Sequence, residues 1–212
     1  ITEYKQALRR IKFEELFYFQ MNLQVLKSEN KSETNGLPIL YSKHAMETKI
    51  SSLPFILTNA QKRSLDEILS DMSSGAHMNR LLQGDVGSGK TVIAGLSMYA
   101  AYTAGFQSAL MVPTEILAEQ HYISLQELFP DLSIAILTSG MKAAVKRTVL
   151  AAIANGSVDM IVGTHALIQD SVQYHKLGLV ITDEQHRFGV KQRRIFREKG
   201  ENPDVLMMTA TP

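Results

Sequence analysis

With 212 residues, 45% of them hydrophobic and 20% charged, the chain can build one large domain with an appendage, and its composition excludes a disordered or fibrous protein. A net charge of +1 supplies no global field, so contact with nucleic acid or a membrane surface needs a local basic face. Absence of cysteine excludes disulfides and thiolate metal centres, and none of the six histidines forms an i, i+4 pair.

The chain begins with Ile1 and carries no visible secretory leader, so it is read as a piece of a longer protein from which a targeting segment could have been lost; the absence of cysteine is compatible with the reducing, cytoplasmic compartment expected for it. From Tyr4 to Leu26, Leu16, Phe19, Leu23 and Leu26 fall on one helical stripe that Phe13 and Phe17 widen, which predicts one long amphipathic helix. Ser28 to Gly36 has no apolar residue and ends in Asn-Gly, the pattern of a flexible linker. Residues 1–50 are therefore taken as a helical linker plus a loop, and residues 51–212 as the main domain.

From Pro54 onward, short β-branched runs alternate with helical segments, the signature of a largely parallel sheet covered by helices. Strands are predicted at 80–83, 108–112, 133–137, 160–163, 177–182 and 205–209, with helices at 58–72, 90–104, 116–129 and 143–155. The apolar stretch Val92 to Gly105 is too short and too rich in small and hydroxyl residues to cross a bilayer, so it reads as a buried helix and no membrane contact is expected.

Between the first predicted strand and the next helix lies Gly84-Asp85-Val86-Gly87-Ser88-Gly89-Lys90-Thr91, the G-x-x-x-x-G-K-[ST] pattern. Its glycines let backbone N–H groups turn inward around phosphate oxygens, while the following helix presents its N-terminus to the same anion. Lys90 then reaches the β- and γ-phosphates of a nucleotide, and the Thr91 hydroxyl becomes a ligand for Mg²⁺. Such a site needs an acid at the end of another strand, and Asp183 ends the run LGLVIT. Glu184 follows directly, so one carboxylate can hold the metal while the other polarises the attacking water. The plain alternative for this acidic pair is a helix N-cap.

With these motifs in view, the series resembles the first motor domain of superfamily 2 helicases and translocases. Motif I is GDVGSGKT, motif Ia VPTEILAEQH, and the two strand-contact motifs are TSG at 138–140 and VGTHAL at 162–167. Motif II is DEQH at 183–186 and motif III TATP at 209–212. The resemblance implies a RecA-like P-loop NTPase fold using ATP and Mg²⁺, with Phe55 and Gln61 of PFILTNAQ beside the nucleotide. It implies that Gln185, His186, Thr209 and Thr211 couple the γ-phosphate to movement. It also places Thr114, Glu115, Gln120, Ser139, Gly140, Thr164 and His165 along a single-strand path. Arg187, Lys191 and Arg193 belong to the basic run RFGVKQRRIFREK, which can neutralise phosphates or simply form a solvated helix face.

Within the superfamily, the fuller stretches DEQHRFGVKQR and ALRRIKFEELFYFQ are similar to the bacterial branch-migration helicases, where the latter links a fork-binding wedge domain to the motor. Transcription-repair coupling translocases are the near alternative, although they usually carry DEEH where this chain has Gln185. The resemblance implies branched or forked DNA as partner, with wedge and second motor domains elsewhere in a monomeric protein. The second motor domain would supply an arginine finger, so this part alone is expected to hydrolyse ATP very slowly and not to unwind DNA. A nucleotide-switch module remains the alternative of another class, and Glu184 separates the two because a switch needs no second acid. A phosphate track does not distinguish RNA from DNA; only the resemblance selects DNA.

Overall fold

Six short apolar runs become the strands of one sheet: β1 (Asn79–Gln83), β2 (Gln107–Met111), β3 (Ile134–Leu137), β4 (Met160–Gly163), β5 (Leu177–Thr182) and β6 (Asp204–Thr209). The computed structural model describes residues 2–32, 36–184 and 190–210. Every strand pair is parallel, in the order β1-β6-β5-β2-β4-β3. A wholly parallel sheet needs cover on both faces, and strand residues alternate between two core clusters. Leu110, Val162 and Ile181 pack with α3 (Asn59–Ser73), α4 (Lys90–Thr103) and α5 (Glu115–Leu128). Met111, Ile161 and Val180 pack with α6 (Ala143–Ala154), a 3-10 turn at His165–Ile168, and Phe196 of α7 (Val190–Arg197). Full burial of one such side chain contributes about 1.5–3 kcal/mol. The sheet is therefore the platform that fixes the loops at its ends.

The predicted strands and helices fall within about one or two residues of the observed elements, the usual uncertainty at element ends. Helix α4, read from sequence as buried, has Ile93, Leu96, Met98, Ala100 and Ala101 in the core. No helix among the described residues is long and apolar enough to cross a membrane.

Two expectations about the first fifty residues differ from the structure. The N-terminal helix, α1, spans Thr2–Ser32 and thus runs into the segment read as a linker. Residues 28–32, Ser-Glu-Asn-Lys-Ser, contain no helix breaker, and the first strong one is Gly36. Residues Ile1–Thr34 form one unit by themselves, and Asn35–Pro212 form the other. Within the first unit, α1 carries a Phe13–Phe17 ring pair with centroids 6.0 Å apart and an Arg10–Glu14 ion pair at 2.8 Å, both at i, i+4 spacing. The second unit begins sixteen residues before the expected boundary at 51, because Ile39 and Met46 are buried in its core. Met46 belongs to a further short helix, α2 (Lys43–Ser51), whose N-terminus is capped by the Ser42 hydroxyl accepting from Ala45 N–H.

Polar groups pin the platform where apolar packing cannot. Gln107, buried at the start of β2, donates to the carbonyls of Ile153 and Val158 and accepts from the N–H groups of His175 and Lys176. Four backbone groups are thereby satisfied by one amide. Arg80 of β1 bridges Asp71 and Glu67 of α3, tying the strand that leads into the phosphate loop to its covering helix.

Candidate active site

The loop between β1 and α4 turns on two glycines in the left-handed region, Gly87 at φ 80° and Gly89 at φ 85°. A side chain at Gly89 would be strained by this φ and would also displace the Gln61 amide from its place against the loop. Gln61 works in two directions. Its Oε1 accepts from Thr58 N–H and the Thr58 hydroxyl accepts from Gln61 N–H, forming a capping box at the start of α3. Its Nε2 donates to the Ser88 carbonyl at 2.9 Å, tying the loop to α3. Lys90 Nζ donates to the carbonyls of Gly84 at 2.6 Å and Asp85 at 2.9 Å, inside the curve of the loop. Gly84 N–H donates to the Thr209 carbonyl, so the expected coupling residue at the end of β6 touches the first residue of the loop.

Parallel strands deliver their C-terminal ends to one edge of the sheet, so the end of β5 lies on the same side as the loop after β1. A cavity of about 490 Å³ elsewhere on the molecule is larger, but the one beside the loop, of about 390 Å³, is lined by expected site residues. Val86, Gly87, Gly89, Lys90 and Thr91 form one wall; Asp183 and Glu184 form another. The two halves of the expected site, some ninety residues apart in sequence, thus share one space. Phe55 is not among the residues lining it and is partly exposed at 42%. Gln120, expected on the single-strand path, is found in the wall of this cavity.

Asp183 is held at both oxygens. Oδ1 accepts from Glu184 N–H at 2.9 Å, and Oδ2 lies 2.9 Å from His121 Nε2. Burial alone would raise its pKa, but the hydrogen bond and charge of His121, the Glu184 N–H and the charge of Lys90 together hold it below the ordinary carboxylate value. It is therefore ionised at neutral pH, and His121 donates to it. Glu184 adopts φ 51°, a left-handed conformation uncommon outside glycine, which turns its side chain away from the direction a continuing strand would give it. Gln185, His186, Arg187 and Thr211 lie outside the described residues.

Hard oxygen donors beside a phosphate-shaped loop fit Mg²⁺: a threonine hydroxyl and an ionised carboxylate leave most positions for nucleotide oxygens and water. Among the described residues there is no group of three or more histidine or acidic side chains that could cage a metal.

The expected strand-contact residues form a linked surface. Thr114 caps α5 by accepting from Leu117 N–H, and Glu115 Oε1 accepts from Gly140 N–H at 2.9 Å. Ser139 Oγ lies 3.3 Å from His165 Nε2. Thr164 is only 3% exposed, with its N–H given to the Leu137 carbonyl, so His165 is the outward-facing member of that pair.

The basic run divides. Lys191 and Arg193 lie on α7, but their side chains are outside those described. Arg194 pairs with Glu198 at 2.7 Å, and Lys199 Nζ donates to the Gln169 and Val172 carbonyls. Arg197 lines the 490 Å³ cavity with His77 and Pro203, which precede β1 and β6 and so lie at the opposite edge of the sheet from the phosphate loop. The last three basic residues are thus committed elsewhere. Sequence reasoning missed His121 as a functional candidate: a lone histidine has no distinctive spacing, and the hint lay in its place as the last residue of VPTEILAEQH, seven residues, two turns, after Thr114.

This fold and site define a P-loop motor domain of the RecA-like kind: an all-parallel sheet carrying a phosphate loop after one strand and an acidic pair after another. The chain belongs to the DEAD/DEAH box helicase family, whose sequence pattern matches residues 58–212. It is 69% identical over its whole length to the ATP-dependent DNA helicase RecG of Streptococcus pneumoniae, of which it covers 32%. It is 55% identical over 98% of its length to RecG of Bacillus subtilis, covering 31% of that protein. The chain therefore spans about a third of the length of the curated relatives it matches. Among solved structures, RecG bound to a three-way DNA junction superposes with a TM-score of 0.80 at 47% identity, covering 94% of this chain and 27% of that one. A hypothetical ATP-dependent RNA helicase from Sulfolobus tokodaii, at 18% identity and TM-score 0.63, shares the fold over 81% of this chain and 51% of its own.

Proposed function

We propose that this chain is the nucleotide-binding first motor domain of an ATP-dependent DNA helicase that remodels branched or forked DNA in recombination and repair. The observation that carries the reading is the shared cavity: Lys90 and Thr91 face Asp183 and Glu184 across a space beside a phosphate-shaped loop. Lys90 binds the β- and γ-phosphates, and its present bonds to the Gly84 and Asp85 carbonyls hold its charge at the loop. Thr91 and Asp183 would hold Mg²⁺, which would supply neutralisation of phosphate charge. Glu184 orients and polarises the attacking water. Gln185, His186, Thr209 and Thr211 relay the state of the γ-phosphate to the rest of the motor.

Thr114, Glu115, Ser139, Gly140 and His165 form the single-strand track, with buried Thr164 anchoring His165 through its bond to Leu137 and Gln120 between the track and the nucleotide, and Arg187, Lys191 and Arg193 add phosphate contacts. Likeness to RecG favours DNA over RNA, and the junction-bound RecG structure favours a branched substrate. The remaining two thirds of such a protein provide the wedge that engages the fork and the second motor domain that completes the ATP site. The protein is taken to act as a monomer in the cytoplasm, and the isolated chain to hydrolyse ATP slowly.

The test is ATP hydrolysis by the full-length protein with forked, three-way and linear duplex DNA of equal length. Turnover that rises most with the branched substrates, together with ATP-dependent release of a labelled arm, is expected. Equal turnover without DNA and with every DNA would refute the reading.

A further inference from the structure

One helix joins the strand-contact loops to the acidic pair. The first residue of α5, Glu115, takes the Gly140 N–H at 2.9 Å, and the neighbouring Ser139 reaches His165. Six residues further along, about 9 Å at the helical rise, His121 is buried with 8% of its side chain exposed and donates to Asp183 Oδ2 at 2.9 Å. Between the two anchors the helix is gripped: Ala118 is wholly buried in the core and Leu117 packs against it. A packed helix shifts as a body, so a small displacement of its first turn is passed to the second turn instead of being absorbed. Among the described residues, the side-chain hydrogen bond to Asp183 comes from this helix, and its other oxygen accepts from a backbone N–H.

We propose, resting on the motor reading above, that His121 is a positioning residue that couples the strand-contact loops to the nucleotide site through its hydrogen bond to Asp183. A phosphate entering between Glu115 and Gly140 competes for the Gly140 N–H, releases or shifts the start of α5, and so changes how His121 holds the carboxylate. By thermodynamic linkage, nucleotide with Mg²⁺ engaging Asp183 changes strand affinity by the same factor.

The experiment uses the full-length protein with a fluorescent non-hydrolysable ATP analogue, Mg²⁺ and an oligo-dT single strand. The affinity of each ligand is measured with and without the other, and the ratio is the coupling factor, commonly about 5–150-fold between linked sites. His121→Leu keeps bulk and removes the donor, so the factor, taken as the ratio of affinities within the same variant, is expected to fall toward one. His121→Gln keeps an N–H donor and is expected to restore most of the factor. In the wild type, ¹⁵N resonances of the His121 imidazole should shift on strand binding without nucleotide, a readout independent of any substitution. A wild-type coupling factor in His121→Leu, equal loss in both variants, or unmoved imidazole resonances would each overturn the proposal. Wild-type protein that binds no nucleotide would instead bring down the motor reading, and this proposal with it.

Discussion

Gln61 illustrates how one side chain serves both folding and chemistry. Its carbonyl oxygen completes the capping box of α3 while its amide holds the Ser88 carbonyl of the phosphate loop. Loss of an N-cap interaction costs about 0.5–2 kcal/mol, and a hydrogen bond contributes about 0.5–1.5 kcal/mol. Gln61→Ala should therefore lower the unfolding free energy by roughly 1 kcal/mol and weaken nucleotide binding by about two- to tenfold. Denaturant titration and nucleotide titration of the same variant check both parts, and an unchanged affinity would show that the loop does not depend on this tether. At this scale the sequence was informative where residue types are unusual together, as in GDVGSGKT and Asp183-Glu184. It was silent where the type is ordinary: nothing about His121 alone foretells a bond to Asp183. Likewise, the charge of Lys199 gives no sign that it is used on the Gln169 and Val172 carbonyls.

At the scale of elements, β-branched and apolar runs with helical segments between them made the strands and α3 to α6 readable in advance. Helix α2 was not, because only Met46 among its residues is buried and so no apolar stripe marks it. The start of β6 carries a second feature invisible in sequence. Asp204 is buried, with Oδ1 accepting from Met78 N–H at 2.8 Å and His77 Nδ1 3.8 Å away. Burial raises its pKa above the ordinary carboxylate value, and the contacts with His77 and Met78 offset that only in part. A carboxyl whose pKa is higher folded than unfolded adds stability below its unfolded pKa and loses it as pH rises through the folded value. Wild-type stability should thus fall as pH rises above the ordinary aspartate range, and Asp204→Asn, which keeps the acceptor for Met78 N–H, should remove that component. Urea midpoints from pH 4 to 7 for both proteins test this; parallel curves would contradict it.

For the whole molecule, the parallel sheet explains why distant motifs converge. Strands running the same way place the phosphate loop, the acidic pair and the strand-contact loops at one edge, whereas Arg197 and His77 belong to the other. The order of motifs along the chain revealed the family and the fold class, but not the separation of the basic run, because a helix returning from one edge to the other divides its charges. The central claim is that the cavity between the phosphate loop and β5 hydrolyses ATP, with Glu184 polarising water. Its most direct test is ATP turnover by full-length protein on forked DNA, comparing wild type with Glu184→Gln at matched nucleotide occupancy. Loss of a positioned general base costs about 10²–10⁴-fold. Wild-type turnover should depend on DNA and fall by that factor in the variant while ATP still binds; undiminished turnover by Glu184→Gln would overturn the role given to Glu184.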